Sequence, residues 1–385
     1  VETSELKSGD FWCEDHQALT VLGNPRRDRN LQVVADAAKA FPEIEGNILV
    51  ETSGSIGRPR FVCLSRKAMM VSARAVNEHL RVGSDDCWLC ALPTFHVGGL
   101  SIYARGQAAA VDVVELERGW DPVAFCDAVD QSHATLTSLV PTQVIDLVDR
   151  KMHAPHSIRA VVVGGGHLLE SIERRARELG WPLLRSYGMT EAASQIATQS
   201  IDEITVSSDE WLPILPHCQV RKSADDSLQI CGQSLCDFYL DGEIESGFEV
   251  VAARDADGWM TTNDRGEVRQ GLLRFLGRDD RLVKILGELV DVDQVEKRFR
   301  DRLDSASPDT VFVEPFADQR RGARLVPIIV EGSMAAAEVG AAIDEHNRTA
   351  LPFERLEAAM WASELPRSAL GKIRRGELRR LARSR

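Results

Sequence analysis

The segment Thr52-Ser-Gly-Ser-Ile-Gly-Arg-Pro-Arg60 carries the residue types that bind phosphate. Small hydroxyl and glycine residues directly after an apolar run let backbone N–H groups turn inward into an anion nest. Arg58 and Arg60 add positive charge at its end. Thr52, Ser53, Gly54, Ser55, Gly57 and Arg60 are therefore candidate phosphate contacts. The segment is not a Walker loop, because no G-x-x-x-x-G-K-[ST] runs through it. Gly164-Gly165-Gly166 likewise lacks the dinucleotide spacing G-x-G-x-x-G. Taken alone, the segment serves equally well as a Ser/Gly surface loop. Cys87-Trp-Leu-Cys90 has the spacing of a redox or metal half-site, but residues three apart in an apolar strand face opposite sides and no second pair follows at zinc spacing, so it reads as core. His153 and His156 flank Ala-Pro with no ligand partner nearby and read as a solvated loop.

The elements around these residues alternate. Residues 47–52 read as a buried strand, followed by the Gly/Ser/Pro turn and an amphipathic helix over about 65–80. An apolar run at 88–92 comes next. Asp121-Pro122 supplies a helix cap and a first-turn proline for a helix running towards 131, before a strand at 134–140. Pro141 opens another helix, 160–163 is a Val-rich strand, 172–179 is a charged helix ending at Gly180, and 183–186 returns as a strand. Strands and helices at this spacing predict a mostly parallel sheet covered by helices. From about Glu203 shorter runs separated by Asp, Gly and Ser predict an antiparallel, barrel-like portion. After Gly277 the pattern changes again: a helix at 292–303, strands at 310–313 and 325–330, a helix at 335–347 and a basic tail. This block reads as a small α+β domain. The first forty-five residues, apart from a helical spacing at 31–41, show no clear pattern.

The chain has 385 residues, which at about 150 per domain gives two to three domains. Its 46 Lys and Arg against 59 Asp and Glu give a net charge of -13, which argues against a nucleic-acid wrapper or a coat for anionic membrane. No apolar run is long enough to span a membrane. Eight cysteines scattered through a long chain without a charged-then-apolar leader suit a reducing cytoplasm better than a disulfide framework. Residues 366–385 hold eight Lys or Arg and one Glu, a local +7, so the remainder carries -20.

Further motifs follow the 52–60 segment in a fixed order: Pro93-Thr-Phe-His96, Gly164-Gly165-Gly166, Tyr187-Gly-Met-Thr-Glu191, Thr261-Thr-Asn-Asp264, Gly277-Arg278-Asp-Asp280, Lys284-Ile-Leu-Gly287-Glu288 and Pro366-Arg-Ser-Ala-Leu-Gly-Lys372. The series, over about residues 47–375, resembles the superfamily of acyl-CoA synthetases, adenylation domains and luciferases. The resemblance implies an α/β fold with two parts. The large N-terminal adenylate-forming domain (1–278) has parallel sheets with helices plus a small β-barrel-like portion, shortened by roughly a hundred residues at its front. A small mobile α+β C-terminal domain (279–385) follows. It also implies a two-step ligase that joins a carboxylic acid to ATP, releases pyrophosphate, and passes the acyl group from AMP to CoA, with Mg²⁺ as the metal. In that scheme Thr190 and Glu191 sit at the adenylate, Glu191 helps to place Mg²⁺, and Tyr187 lies near the adenine beside Gly188 and Gly165. Asp264 and Arg278 hold the ribose hydroxyls, and Lys372 bridges acid and phosphate. Asp280 is the hinge, and rotation there removes Lys372 and brings Lys284 to Glu288, with Gly287 beside pantetheine. His96 reads either as a structural histidine or, by resemblance, as part of an aromatic gate between nucleotide and acid pockets.

Two stretches, Pro93 to Arg105 and Ser138 to Gln143, look like the o-succinylbenzoate-CoA ligases of menaquinone and phylloquinone synthesis. There Arg105 and Ser138, with Gly164 and His96 lining the acid pocket, would meet the substrate's second carboxylate, which needs a fixed cation in a mostly apolar pocket. The plain alternative for Arg105 is an ordinary surface or helix-end arginine. Ile56 stands where the superfamily usually has Thr, and Arg60 where it usually has Lys. Another acid-CoA ligase, a stand-alone adenylating enzyme and a non-catalytic nucleotide-binding relative are the competing readings. The expected partners are small molecules (a carboxylic acid, ATP and CoA), with a homodimer left open.

Overall fold

The computed structural model describes residues 2–382 except 26–29, 53–59, 118, 167, 204–209, 225–226, 244–246, 279–280, 286–287, 304–308, 319–320 and 368–372. Ser53, Gly54, Ser55, Gly57, Asp280, Gly287 and Lys372 therefore lie outside the described residues, as does the side chain of Lys284. The chain divides into two compact units, one of Val1–Thr262 with Gly266–Phe275, the other of Asn263–Arg265 with Leu276–Arg385.

At the centre of the first unit is a six-stranded sheet in the order Asp112–Glu115, Cys87–Cys90, Leu136–Leu139, Ala160–Val163, Leu183–Met189, Ser194–Thr198. Its pairs are parallel except the last, which is antiparallel and bulged at Tyr187/Gly188. The expected mostly parallel, helix-covered sheet is present. Alternation along its strands divides the core in two. Trp88, Cys90, Leu136, Ala160, Val162 and Leu184 pack with the helices Arg66–His79 and Val97–Ala109. Leu89, Leu139, Val161, Val163 and Leu183 pack with the helices Pro122–Ser132, Pro141–Asp149 and Glu170–Glu178. The strands Cys87–Cys90 and Ala160–Val163 are unbroken apolar runs because both faces are covered, and each fully buried Leu, Val or Phe contributes about 1.5–3 kcal/mol. Cys90 belongs to one face and Cys87 packs against the other, as the spacing predicted for a core strand.

A mixed five-stranded sheet runs Thr20–Leu22, Ile48–Thr52, Arg60–Leu64, Phe238–Glu243, Gly247–Ala252. The strand Arg60–Leu64 does not appear in the sequence pattern, which passes from the turn directly to the helix. Ser65 caps that helix, accepting from Ala68 N at 3.1 Å. The next residue, Arg66, reaches back into the first forty-five residues. Its guanidinium donates to the carbonyls of Phe11 (2.5 Å), Ala18 (3.1 Å) and Gly46, and to Thr20 Oγ1 (3.2 Å). Phe11 and Trp12 complete the core there. A third sheet, in the order Trp211–Pro213, Leu272–Arg278, Met260–Arg269, Ser227–Gly232, Cys218–Lys222, is the expected antiparallel portion after residue 203.

The second unit holds the hairpin Leu282–Ile285 with Glu288–Asp291, the helix Val292–Arg300, and the antiparallel strands Val311–Asp318 and Gly322–Val330, with Met360–Ala362 added in parallel. The helices Ala336–Thr349 and Arg375–Leu381 complete this α+β unit. Asp291 caps the helix Val292–Arg300 through the N–H groups of Asp293 and Gln294. Among the described residues no helix is long and apolar enough to cross a membrane.

Candidate functional site

Thr52 and Arg60 face each other across the ladder between Ile48–Thr52 and Arg60–Leu64, so the Ser/Gly segment leaves and re-enters the sheet at one end. Thr52 Oγ1 donates to Arg60 O at 3.1 Å across that gap. The Arg60 guanidinium has a partner that sequence reasoning did not anticipate. Nε and Nη2 donate to Asp241 Oδ2 at 3.1 and 2.7 Å, and the group stacks 4.4 Å above the Tyr239 ring. Arg60 and Asp241 are cross-strand neighbours. The Tyr239 hydroxyl donates to Glu191 Oε1 at 3.5 Å. Burial and the nearby Glu191 charge push this phenol far above its ordinary range. Tyr239 and Asp241 thus join Arg60 to Glu191, and only the strand pairing, 180 residues apart, reveals them.

The Tyr187 to Glu191 motif begins on the strand Leu183–Met189 and ends in a single 3-10 turn, Thr190–Ala192. Tyr187 is buried and stacks on Phe275, ring centroids 5.5 Å apart. Gly188 is demanded by backbone contact: a Cβ there would lie 2.0 Å from Ser194 O and 2.9 Å from Gln195 Cα. Gly164 leaves the Val-rich strand where a Cβ would meet Ser186 Oγ at 2.8 Å, and Gly165 adopts φ +77°. His96 sits directly before the helix Val97–Ala109, its ring 4.6 Å from that of Phe95.

That helix carries the most unusual charge in the unit. Arg105 is 1% exposed. Its Nη1 donates to Ser138 Oγ at 3.2 Å, and its Nη2 donates to Ser101 Oγ and Ser194 Oγ, each at 3.0 Å. Trp88 lies 5.2 Å from the guanidinium. Nε has no hydrogen-bond partner, and no carboxylate pairs with the group among the described residues. Burial pulls Arg105 down from the ordinary guanidinium range to about 9. An unpaired cation so deeply buried is costly to the free protein, and a ring of neutral hydroxyls around it leaves its charge available to an incoming anion. Arg105 is not the helix-end residue of the plainer reading: the helix continues to Ala109. Ser138, expected beside it, is there. Ser101 and Ser194 were missed. Ser101 is one helical turn before Arg105 and would follow from drawing the helix. Ser194, at φ +135°, carries no local signal.

In the second unit Asp264 is buried and its Oδ1 lies 3.3 Å from Arg278 Nη1, so the two expected ribose contacts are paired. Lys284 lies on the strand Leu282–Ile285. Among the described residues no cluster of three or more His, Cys, Asp or Glu could hold a metal. A single carboxylate such as Glu191 suits an ion that arrives with phosphate oxygens and keeps waters, as Mg²⁺ does. All eight cysteines are free thiols.

The fold is that of the adenylate-forming enzymes, and residues 48–234 match the family described as AMP-binding enzyme. The relatives are more specific. The 2-succinylbenzoate–CoA ligase of Bacillus cytotoxicus is 28% identical over 354 residues, covering 89% of this chain and 71% of that protein. The o-succinylbenzoate CoA synthetase of Bacillus subtilis, solved in complex with its acyl-adenylate intermediate, is 25% identical with a TM-score of 0.71 over 86% of this chain and 68% of that one. The same enzyme with ATP and magnesium ion is 25% identical, TM-score 0.72, over 86% and 69%.

Proposed function

We propose that the protein is an ATP-dependent, AMP-forming 2-succinylbenzoate–CoA ligase. The observation that carries this reading is Arg105, a buried guanidinium ringed by Ser101, Ser138 and Ser194 and without a carboxylate partner among the described residues. A dicarboxylate supplies what the pocket lacks. One carboxylate would accept from Arg105 and the serines while the other reacts. A monocarboxylate of the same shape leaves the cation unpaired.

The chemistry would run in two displacements. An oxygen of the reacting carboxylate attacks the α-phosphorus of ATP and pyrophosphate leaves. The CoA thiol then adds to the acyl carbon of the mixed anhydride, its proton is lost, and AMP leaves. The first step concentrates negative charge on phosphoryl oxygens, so it depends on fixed donors and cations. The backbone of 53–57 with Thr52 would hold the phosphates, and Arg60, fixed on Asp241, would hold the end of that segment. Thr190 and Gly165 would line the nucleotide with Gly188 and Tyr187. Asp264 and Arg278 would take the ribose hydroxyls. Mg²⁺, held by Glu191 and the phosphates, would neutralise charge on the departing pyrophosphate. His96 and Gly164 would border the acid, and Lys372 would bridge acid and phosphate. Asp280 would be the hinge that exchanges Lys372 for the Lys284 to Glu288 segment in the second step, with Gly287 beside pantetheine. The boundary we assign is 1–278 for adenylation and 279–385 for the mobile part. Free thiols at all eight cysteines accord with a cytoplasmic setting.

The test is a panel of acids incubated with ATP, Mg²⁺ and CoA, following AMP and thioester. 2-Succinylbenzoate is expected to give both. Thioester from another acid with none from 2-succinylbenzoate would sink the assignment.

A further inference from the structure

Two carboxylates in the second unit are almost completely buried, Glu296 at 5% and Glu314 at 1% exposure. They come from the helix Val292–Arg300 and the strand Val311–Asp318, and they receive arginines from two distant stretches of chain. Arg281, the first described residue after 279–280, donates through Nη1 to Glu314 Oε1 (3.1 Å), through Nη2 to Glu296 Oε2 (3.4 Å) and to Val313 O (2.9 Å), and through Nε to Asp293 Oδ1 (2.7 Å). Arg375, three residues beyond Lys372, donates through Nη1 to Glu296 Oε2 (2.8 Å) and Glu314 Oε1 (2.7 Å), and through Nη2 to Glu296 Oε1 (3.1 Å). Arg300 Nη2 also donates to Glu296 Oε1 at 2.7 Å, and Arg379 Nε lies 3.5 Å from Glu314.

The described ends of the segment that contains Lys372 are fastened as well. Arg374 N donates to Pro366 O at 2.7 Å, Arg367 and Ile373 form a bridge, and Arg367 Nη2 donates to Asp309 Oδ2 at 2.8 Å. Burial alone would raise Glu296, but the charges and hydrogen bonds of Arg375, with Arg300 and Arg281, outweigh it and hold it down to about 2. Glu296 is therefore ionised at neutral pH. Asp293, Glu296 and Glu314 balance Arg281, Arg300 and Arg375, with Arg379 at the edge.

An apolar plug could stabilise this position as well as buried ions do. What ions add is geometry: a planar fork that spans two carboxylates at once fixes direction as well as distance. We propose that Arg375 is a positioning residue for Lys372, and that Glu296 and Glu314 are the anchor it shares with Arg281. The proposal rests on the role given above to Lys372. Loss of the fork would leave the nucleotide contacts of the first unit intact and remove what positions Lys372, and a displacement of about 1 Å at a reacting group is enough to cost on the order of a hundredfold.

The test uses the full chain with ATP, Mg²⁺ and 2-succinylbenzoate, following pyrophosphate exchange, then thioester formation from supplied acyl-adenylate and CoA. Arg375→Met is expected to lower kcat for adenylation by about 10- to 100-fold with KM for ATP within about threefold and thioester formation within about threefold. Arg375→Lys, which keeps charge but not the fork, should fall between. Wild-type kcat in Arg375→Met overturns the proposal, and so does an equal loss in both steps that tracks the unfolded fraction by circular dichroism. If Arg375→Met does not fold, Arg375→Lys is read by the same split, and an unchanged adenylation kcat or equal losses overturn it. Lys372→Ala separates the two layers: full adenylation in that variant refutes the role of Lys372 itself, whatever Arg375 does.

Discussion

Replacing Arg105 by Met removes the charge while keeping most of the stem volume, and the structure sets the size of the effect. Burial lowers this group to about 9 in the free protein because its charged form loses solvation. An incoming carboxylate recovers only part of that loss, because it is itself dehydrated on entry. A charge-assisted hydrogen bond returns about 1.5–3 kcal/mol, and truncating one partner of a buried charged pair costs about 2–5 kcal/mol. A loss of about 2–4 kcal/mol in transition-state stabilisation follows, or roughly 30- to 1000-fold in kcat/KM for 2-succinylbenzoate. The assay compares that acid with an analogue lacking the spectator carboxylate, each followed by pyrophosphate release. The analogue should lose less than about threefold or improve, since Arg105→Met also removes an unpaired buried charge. Equal losses for both acids would refute the reasoning, because Arg105 would then be shaping the fold and not reading the second carboxylate.

Three other outcomes follow from the geometry. Binding of the dicarboxylate needs the protonated guanidinium, so in a pH series its KM should rise once pH passes about 9, where free Arg105 titrates, while KM for ATP stays level; a flat KM to pH 10.5 contradicts this. Gly188→Ala forces a Cβ against Ser194 O and should cost about 1–3 kcal/mol in urea unfolding together with most adenylation, and wild-type stability would show that the strands separate freely there. Glu296 titrates near 2, below its ordinary 4.5, so the stability it contributes is fully present above pH 4.5 and is lost as pH falls towards 2. Glu296→Gln should be less stable at pH 6 yet flatter between pH 4.5 and 2, and parallel curves for the two proteins would exclude that contribution.

The strand Ala160–Val163 of the parallel sheet was legible because it is buried on both faces and ends at Gly, so it shows without any knowledge of its neighbours. The helix Val97–Ala109 was not. It contains Gly98, Gly99 and Gly106, which weaken a helix in water, and they are there because neighbours press close. A Cβ at Gly99 would lie 2.4 Å from Pro93 O, and one at Gly106 would lie 2.3 Å from Val113 Cγ2. Missing that helix hid Ser101. The strand Arg60–Leu64 was hidden for a different reason: five residues between a Gly/Pro turn and an N-cap are too few to show a period, and one partner, Phe238–Glu243, lies far along the chain. That pairing also decides what Arg60 does. Its type and place predict a phosphate clamp, whereas Asp241 and Tyr239 give it an anchor within the sheet. Arg105 with Ser138 was legible through the resemblance of their two stretches to the o-succinylbenzoate-CoA ligases, though not the complete burial of Arg105.

The central claim is that an acid oxygen is transferred to the α-phosphorus of ATP. 2-Succinylbenzoate labelled with oxygen-18 in both carboxylates, incubated with this protein, ATP, Mg²⁺ and CoA, reports on that bond directly through mass spectrometry of the nucleotide product. AMP carrying one heavy oxygen, in amounts equal to the thioester formed, is the expected product. Unlabelled AMP, or ADP in its place, would contradict the claim.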